Sequence, residues 1–92
     1  MSEADLRAQL AGYARAGHGA EVLERGRRRR VIRVSSDVPE SLILRLIEVE
    51  RGCCPFFAMS WDGPGRRLAI EVSDSDHEPA LEAIVTALGA PS

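Results

Sequence analysis

Alternating apolar and polar residues mark two stretches of the chain, each interrupted by a turn that contains glycine. Residues 22–23 and 31–34 flank Gly26, and glycine takes the positive φ of a tight turn without a steric penalty. The second stretch covers residues 56–73, with a strong turn signal at residues 62–65. The alternation therefore predicts two β-hairpins.

Apolar residues at helical spacing predict a helix before the first hairpin and another between the two. The first lies in residues 1–19, with Leu6, Leu10 and Tyr13 on one face. The second lies in residues 38–51 and is so apolar that much of its surface should be buried.

The boundaries of the second helix are set by prolines. Before it, Asp37 and Glu40 flank Pro39 and predict a capping box. After it, Cys54 precedes Pro55, and the residue before a proline is pushed out of helical geometry. The helix is therefore expected to end just before Cys54.

The predicted order of elements is αββαββα, within a single α+β domain that spans residues 1–92. An N-terminal helix in residues 1–19 precedes two ββα units, in residues 20–51 and 56–89. Two hairpins join into one antiparallel four-stranded sheet, and the amphipathic helices must cover its apolar face. The expected fold class is α+β, a two-layer sandwich with the helices on one face of the sheet.

The composition is that of a folded domain outside the membrane. Hydrophobic residues make up 45% of the chain and charged residues 28%, which argues against disorder. There is no apolar run near the roughly 20 residues that cross a bilayer, and residues 1–20 lack the pattern of a secretory leader. The expected compartment is the cytoplasm, where two cysteines stay reduced.

The charge is unevenly distributed. The formal net charge is −2, but residues 21–33 hold six arginines against two glutamates. A basic cluster can contact nucleic acid, yet this one has no interleaved aromatic residues for stacking and the remaining chain is acidic. A solvated strand, or an edge strand whose charges protect the sheet edge, is the favoured interpretation, and nucleic acid is not expected as a partner.

Both cysteines lie where the second helix gives way to a strand. A helical stripe of apolar residues leads to Cys53 and predicts that this side chain packs in the core; the stripe consists of Leu42, Leu46 and Val49. Glu50 is about one turn from both sulfurs, where its carboxylate can hydrogen-bond a thiol, act as a base or co-ligate a cation. Cys54, held at the proline break, is predicted to be the reactive thiol.

Adjacent thiols restrict the chemistry of this site. Neighbouring cysteines form a disulfide only in a strained ring, and zinc requires four spaced ligands. A soft ion such as Cu(I), Hg(II) or As(III) can use two thiolates. The predicted metal-site residues are therefore Cys53, Cys54 and Glu50. The alternative is that both cysteines only pack, as buried cysteines commonly do.

The segment Glu50-Arg51-Gly52-Cys53-Cys54-Pro55-Phe56-Phe57 resembles a motif of small, largely uncharacterised bacterial proteins. They carry Glu-x-x-Cys-Cys-Pro-Phe after an amphipathic helix, and similar segments accompany metal-responsive regulators in some actinobacteria. The resemblance covers roughly residues 30–89. It implies functional roles for Glu50, Cys53 and Cys54.

These observations predict a non-enzymatic cytoplasmic module that binds or senses a thiophilic metal, metalloid or other thiol-reactive species. One alternative is a dimerisation or protein-interaction module, with a homodimer formed through the sheet edge or through an open face carrying Phe57, Met59 or Trp61. A second alternative is a small cysteine-dependent or pathway-accessory enzyme, with Cys54 as nucleophile and Glu50 as base.

Overall fold

A computed structural model describes residues 2–89 and has the predicted order of elements. The helices are α1 (Glu3–Gly17), α2 (Glu40–Cys53) and α3 (Glu78–Leu88), with a short 3-10 turn at Ser75–His77 before α3. The strands are β1 (Glu21–Arg25), β2 (Arg29–Arg33), β3 (Phe57–Asp62) and β4 (Arg67–Val72). The predicted α+β class is confirmed, as are the hairpins β1–β2 and β3–β4.

The strands form one antiparallel sheet in the order β1-β2-β4-β3, so the two hairpins join through β2 and β4. Ile32 pairs with Leu68, and Leu68 pairs with Trp61, across the face that packs against the helices. β1 and β3 are the edge strands. A register shift between Val22 and Glu24 gives β1 a bulge, which makes this edge a poorer template for further pairing.

One hydrophobic core fills the space between the sheet and the helices. The inward residues of β4 are almost fully buried, as are core residues from all three helices. The largest fully buried side chains include Tyr13 of α1, Ile43 and Leu46 of α2, Leu68 and Ile70 of β4, and Leu81 of α3. No helix within residues 2–89 has the length and apolar character to span a bilayer.

Phe57, Met59 and Trp61 lie on the covered face of the sheet, where they are half-buried and pack against the core. They pair across the strands with buried residues of β4. The other face carries Val31 and Ala69 among charged side chains. The aromatic patch proposed as a reason for dimerisation through the open face is therefore absent from it.

The buried face of α1 is not the one predicted from apolar spacing. Leu6 and Leu10 are 49% and 46% exposed, whereas Gln9, Tyr13 and Ala16 are buried. Only Tyr13 belongs to both the predicted and the observed face. The helix is thus rotated relative to the prediction, so that a polar side chain enters the interface.

Two glycines allow this rotation by letting α1 approach its neighbours closely. A Cβ at Gly12 would lie 2.8 Å from Cδ2 of Leu46 in α2. A Cβ at Gly17 would lie 1.8 Å from the carbonyl oxygen of Leu88 in α3, a distance that excludes any side chain. The backbone of α1 therefore packs directly against its two neighbouring helices.

The capping box predicted from Asp37 and Glu40 is wrong. α2 begins at Glu40, and its N-cap residue Pro39 makes no side-chain capping bond. The backbone N–H of Asp37 donates to Oγ of Ser35 at 3.2 Å. The carboxylate of Glu40 accepts from the indole N–H of Trp61 at 2.6 Å instead, so a tertiary contact replaces the local one.

Arg66 holds the connection between β2 and α2 in place. Its guanidinium donates to the carbonyl oxygens of Val34 (3.2 Å), Ser35 (2.8 Å) and Val38, and it lies 5.6 Å from the ring centre of Trp61. The backbone of Arg66 has φ of 52°, in the left-handed region that side chains disfavour. The β3–β4 turn therefore accepts a strained residue that satisfies three carbonyl groups of a neighbouring loop.

Replacing Arg66 with alanine is expected to lower the free energy of unfolding by roughly 2–4 kcal/mol, because partly buried carbonyl groups lose charged donors. The strain at positive φ is similar for arginine and alanine, so it cancels in the comparison. Urea denaturation of Arg66→Ala beside Arg67→Ala, an exposed neighbour, measures the effect. Equal losses below about 0.5 kcal/mol in both variants would contradict this role.

Candidate functional site

The two cysteines lie at the junction between α2 and β3. Cys53 is the last residue of α2, and Cys54 is its C-cap, with a backbone N–H that donates to the carbonyl of Glu50 at 2.7 Å. The carbonyl of Cys54 accepts from the N–H of Phe57 at 3.1 Å, which closes a turn across Pro55. The predicted helix end before Cys54 is confirmed, and the backbone of Cys54 is fixed on both sides.

The two thiols face each other. The Sγ atoms lie 3.4 Å apart, with the thiol of Cys54 donating to the sulfur of Cys53, and both cysteines are free. Cys53 is exposed and Cys54 is half-buried. The prediction that Cys53 packs in the core is therefore wrong, and Cys54 is the less exposed of the two cysteines.

This reversal follows from the residues that define the inner face of α2. The buried residues of this helix are Ile43, Leu46, Ile47 and Glu50. The line through Ile43, Ile47 and Glu50 leads to Cys54, and the predicted stripe toward Cys53 runs beside it. The charge of Glu50 made this row of residues look solvent-facing in the sequence, although it lies on the buried face of α2.

Glu50 is buried between α1 and α2, with 7% of its surface exposed. Nε2 of Gln9 donates to Oε1 of Glu50 at 3.1 Å and to the carbonyl of Leu46 at 3.3 Å. Gln9 and Tyr13 are site residues that the sequence interpretation missed. The available signal was that Gln9, Tyr13 and Ala16 recur at helical spacing beside Gly12.

The environment of Cys54 keeps its thiol protonated at neutral pH. Burial, the contact with Cys53 and the negative charge of Glu50 together raise the pKa of Cys54 to about 12, and burial has the largest effect. A protonated Cys54 is the donor that the short contact with Cys53 requires. The arrangement is the opposite of an activated cysteine, whose pKa is lowered.

Tyr13 is a second buried ionisable residue near Glu50 and Cys54. Its hydroxyl is buried near Glu50 and Gln9, but it makes no hydrogen bond of ordinary length and angle with them or with any other residue among 2–89. Burial raises the pKa of Tyr13 well above its usual value, and the charge of Glu50 acts in the same direction. The hydroxyl therefore stays neutral over the physiological range.

His77 packs against the motif from the start of α3. Its ring stacks on Phe56 with centres 4.2 Å apart and planes inclined by 8°. Nδ1 of His77 is buried, and none of the described residues provides it with a hydrogen-bond partner. This stack supports the turn that follows the cysteines from one side.

The predicted site residues are brought together, but they face different surroundings. The Glu50 carboxylate points to the buried interface with Gln9, whereas Cys53 borders an open groove between α1 and α2. The groove has apolar walls that include Ala8, Leu42, Leu46 and Val49. In the part of the chain that the structure describes, no group of three or more His, Cys, Asp or Glu side chains is placed to hold a metal ion.

Four arginines of the 21–33 segment form ion pairs: Arg28, Arg29, Arg30 and Arg33. Arg29 contacts Glu24 at 2.7 Å and Glu71 at 3.1 Å, across the open face of the sheet. The other pairs are Arg28 with Glu78, Arg30 with Glu82, and Arg33 with Glu21. These contacts connect the hairpin to β4 and to the start of α3.

Replacing Glu50 with glutamine is expected to accelerate alkylation of Cys54 by roughly threefold to tenfold at pH 8, because the change removes a charge that disfavours the thiolate. Glutamine keeps the oxygen that accepts from Gln9. Iodoacetamide labelling, followed by mass spectrometry at each cysteine, measures both rates. The matched control is Glu48→Gln, which lies on the exposed side of α2 and should leave the rates unchanged. Equal labelling of Cys54 in wild-type protein and Glu50→Gln would refute the electrostatic account.

Stability is expected to decrease above pH 9. Cys54 ionises near 9.0 in the unfolded chain and near 12 in the folded protein, so the unfolded state loses its proton first. The contribution is complete below pH 9 and is lost as the pH rises toward 12. The pKa of Tyr13 is also raised, so this residue likewise lowers the stability of the folded protein as the pH rises.

Replacing Tyr13 with phenylalanine should therefore reduce the alkaline loss of stability. At pH 7 the change should alter the free energy of unfolding by less than about 1 kcal/mol, because the hydroxyl makes no hydrogen bond of ordinary geometry that phenylalanine would lose. Urea denaturation at pH 7 and at several values above pH 9 tests both statements. A loss above about 2 kcal/mol at pH 7 would show that the hydroxyl is satisfied in solution.

Searches for relatives give no further guidance: no protein-family model, curated protein or solved structure matches the chain. The chemistry of the cysteine pair has to be derived from its own geometry.

Proposed function

We propose that this protein binds or senses a thiophilic metal ion, a metalloid or another thiol-reactive species through Cys53 and Cys54, without catalysing a reaction. Glu50 acts as a tuning residue that sets the protonation of the pair. The cytoplasm is the proposed compartment, since free vicinal thiols persist where the redox environment is reducing.

The observation that carries this proposal is the 3.4 Å separation of two free sulfurs at a fixed backbone junction. Cys53 belongs to a helix, and Cys54 is held by hydrogen bonds through both its N–H and its carbonyl. A ligand that needs two soft donors therefore meets a pair that is already oriented, and little conformational entropy is lost on binding. Exposure of Cys53 gives such a ligand access from solvent.

Glu50 fits a tuning role better than a ligand role. Its carboxylate is buried and accepts a hydrogen bond from Gln9, so its charge acts on Cys54 from the protein side. A negative charge there keeps the thiol protonated before binding and stabilises positive charge that arrives afterwards. Thiol protons are released when a metal ion binds, so this charge affects affinity.

An enzyme with Cys54 as nucleophile and Glu50 as base is less well supported. Nucleophilic cysteines depend on a lowered pKa or on an adjacent base that is ready to accept the proton. In this protein the same carboxylate raises the pKa of the thiol, and Cys54 is the less exposed of the two cysteines.

A protein-interaction role is favoured by exposed leucines on the helices. Leu6 and Leu10 lie one turn apart on the outer side of α1, and Leu44 of α2 is 50% exposed. Such side chains are suited to contact a second copy or another protein. This role is compatible with thiol binding, and it would stand alone if the thiols proved unreactive.

One equivalent of phenylarsine oxide is expected to block both thiols of the native protein in the presence of excess glutathione. A chelate of two protein thiols resists exchange because the second bond forms within the same molecule. After glutathione is removed by gel filtration, counting the free thiols of the protein with a chromogenic disulfide measures the stoichiometry. Cys53→Ser and Cys54→Ser should each abolish the glutathione-resistant adduct.

The matched control is the double variant Cys54→Ser/Leu44→Cys, which keeps two thiols but places one on the exposed side of α2. It should form no glutathione-resistant adduct. If wild-type thiols are no more protected than those of this control, and the single serine variants change stability alone, the proposal fails and the packing role remains.

A further inference from the structure

The geometry of the cysteine pair restricts the class of ion that it can chelate. With bonds of about 2.3 Å, the length of zinc–thiolate bonds, a linear two-coordinate ion places its sulfurs about 4.6 Å apart. At the same bond length, a pyramidal ion places its sulfurs closer together than this, because its bond angles are far below 180°. The sulfurs of Cys53 and Cys54 are separated by 3.4 Å.

The backbone of both residues is fixed, so only rotation of the two side chains can change this separation. The two residues are adjacent, so their Cα atoms are about 3.8 Å apart. Cys53 is fixed by α2, and the N–H and carbonyl of Cys54 both have partners. The Cys54 side chain is half-buried beside Glu50, so moving it to the opposite side of a linear ion would take it out of that environment.

We infer that the vicinal pair chelates a trivalent, pyramidal metalloid that carries hydroxyl groups, of the arsenous acid type, in preference to linear soft ions such as Hg(II) or Cu(I). The inference rests on the proposed function and specifies its ligand. Neither Glu50 nor a third protein ligand coordinates the metalloid, which keeps its third substituent.

The reaction with such a species requires no oxidant or reductant. As(OH)₃ condenses with two thiols: two S–H bonds and two As–O bonds break, two S–As bonds and two O–H bonds form, and two water molecules leave. Arsenic stays trivalent and both sulfurs keep their oxidation state. Each thiol proton leaves with a hydroxyl group of the ligand, so no thiolate has to accumulate beforehand.

The surroundings of the pair also leave room for such a ligand. The third substituent on arsenic has open space, because Cys53 is exposed and borders the groove between α1 and α2.

Native mass spectrometry at neutral pH separates the two classes of ion. One equivalent of sodium arsenite should give a monomer that carries one arsenic and has both thiols blocked. One equivalent of mercuric chloride should instead join two chains or leave one thiol of each chain reactive. The reason is that the two sulfurs of one chain lie too close together to bind opposite sides of a linear ion. Cys54→Ser/Leu44→Cys, which also has two thiols, should form no monomeric arsenic adduct.

The outcomes distinguish this inference from the proposed function. The preference for a pyramidal ion is wrong if mercury gives a monomer with both thiols blocked as readily as arsenite does. It is also wrong if mercury blocks both thiols and arsenite leaves them free. In either case the proposed function stands. If neither ion blocks the pair, the proposed function fails as well.

Discussion

A carboxylate buried between two helices is the constraint on which both the packing and the site depend. Removing the Glu50 side chain from water costs free energy unless its oxygens receive hydrogen bonds. Gln9 provides such a bond, and it can reach Glu50 because Gly12 lets α1 approach Leu46 closely. The rotation of α1 follows, with Leu6 and Leu10 turned outward. A polar contact therefore determines which face of the first helix is buried.

The same carboxylate makes two neighbouring cysteines chemically different. It acts on Cys54, which lies on its side of α2, and it adds to the effect of burial on that thiol. Cys53 lies around the helix from it and is exposed. The pair thus combines one solvent-facing sulfur with one sulfur that is kept as a proton donor. Such asymmetry suits a ligand that brings its own proton acceptor.

The general architecture was accessible from the sequence because it depends on periodicity and on chain breakers. Alternation predicted the strands, and Pro55 predicted where α2 ends. The rotation of α1 and the exposures of Cys53 and Cys54 were not accessible in this way, because each depends on a buried polar group that hydrophobic patterns treat as surface. The contact of Arg66 with the loop before α2, and the stack of His77 on Phe56, join residues far apart in the chain. Neither contact has a local sequence signal.

The turn at Cys54 has a thermodynamic consequence for any ligand that bridges the two sulfurs. The entropy recovered by a cross-link grows with the length of chain it encloses, and a bridge between adjacent residues encloses almost none. Such a bridge would therefore leave the unfolded chain nearly as free as before. The backbone of Cys54 connects the last hydrogen bond of α2 to the turn that precedes β3. The bridge would therefore restrict the local conformation of this α2–β3 junction. Its effect would be a smaller range of angles between α2 and β3, with little gain in domain stability from restricting the unfolded chain.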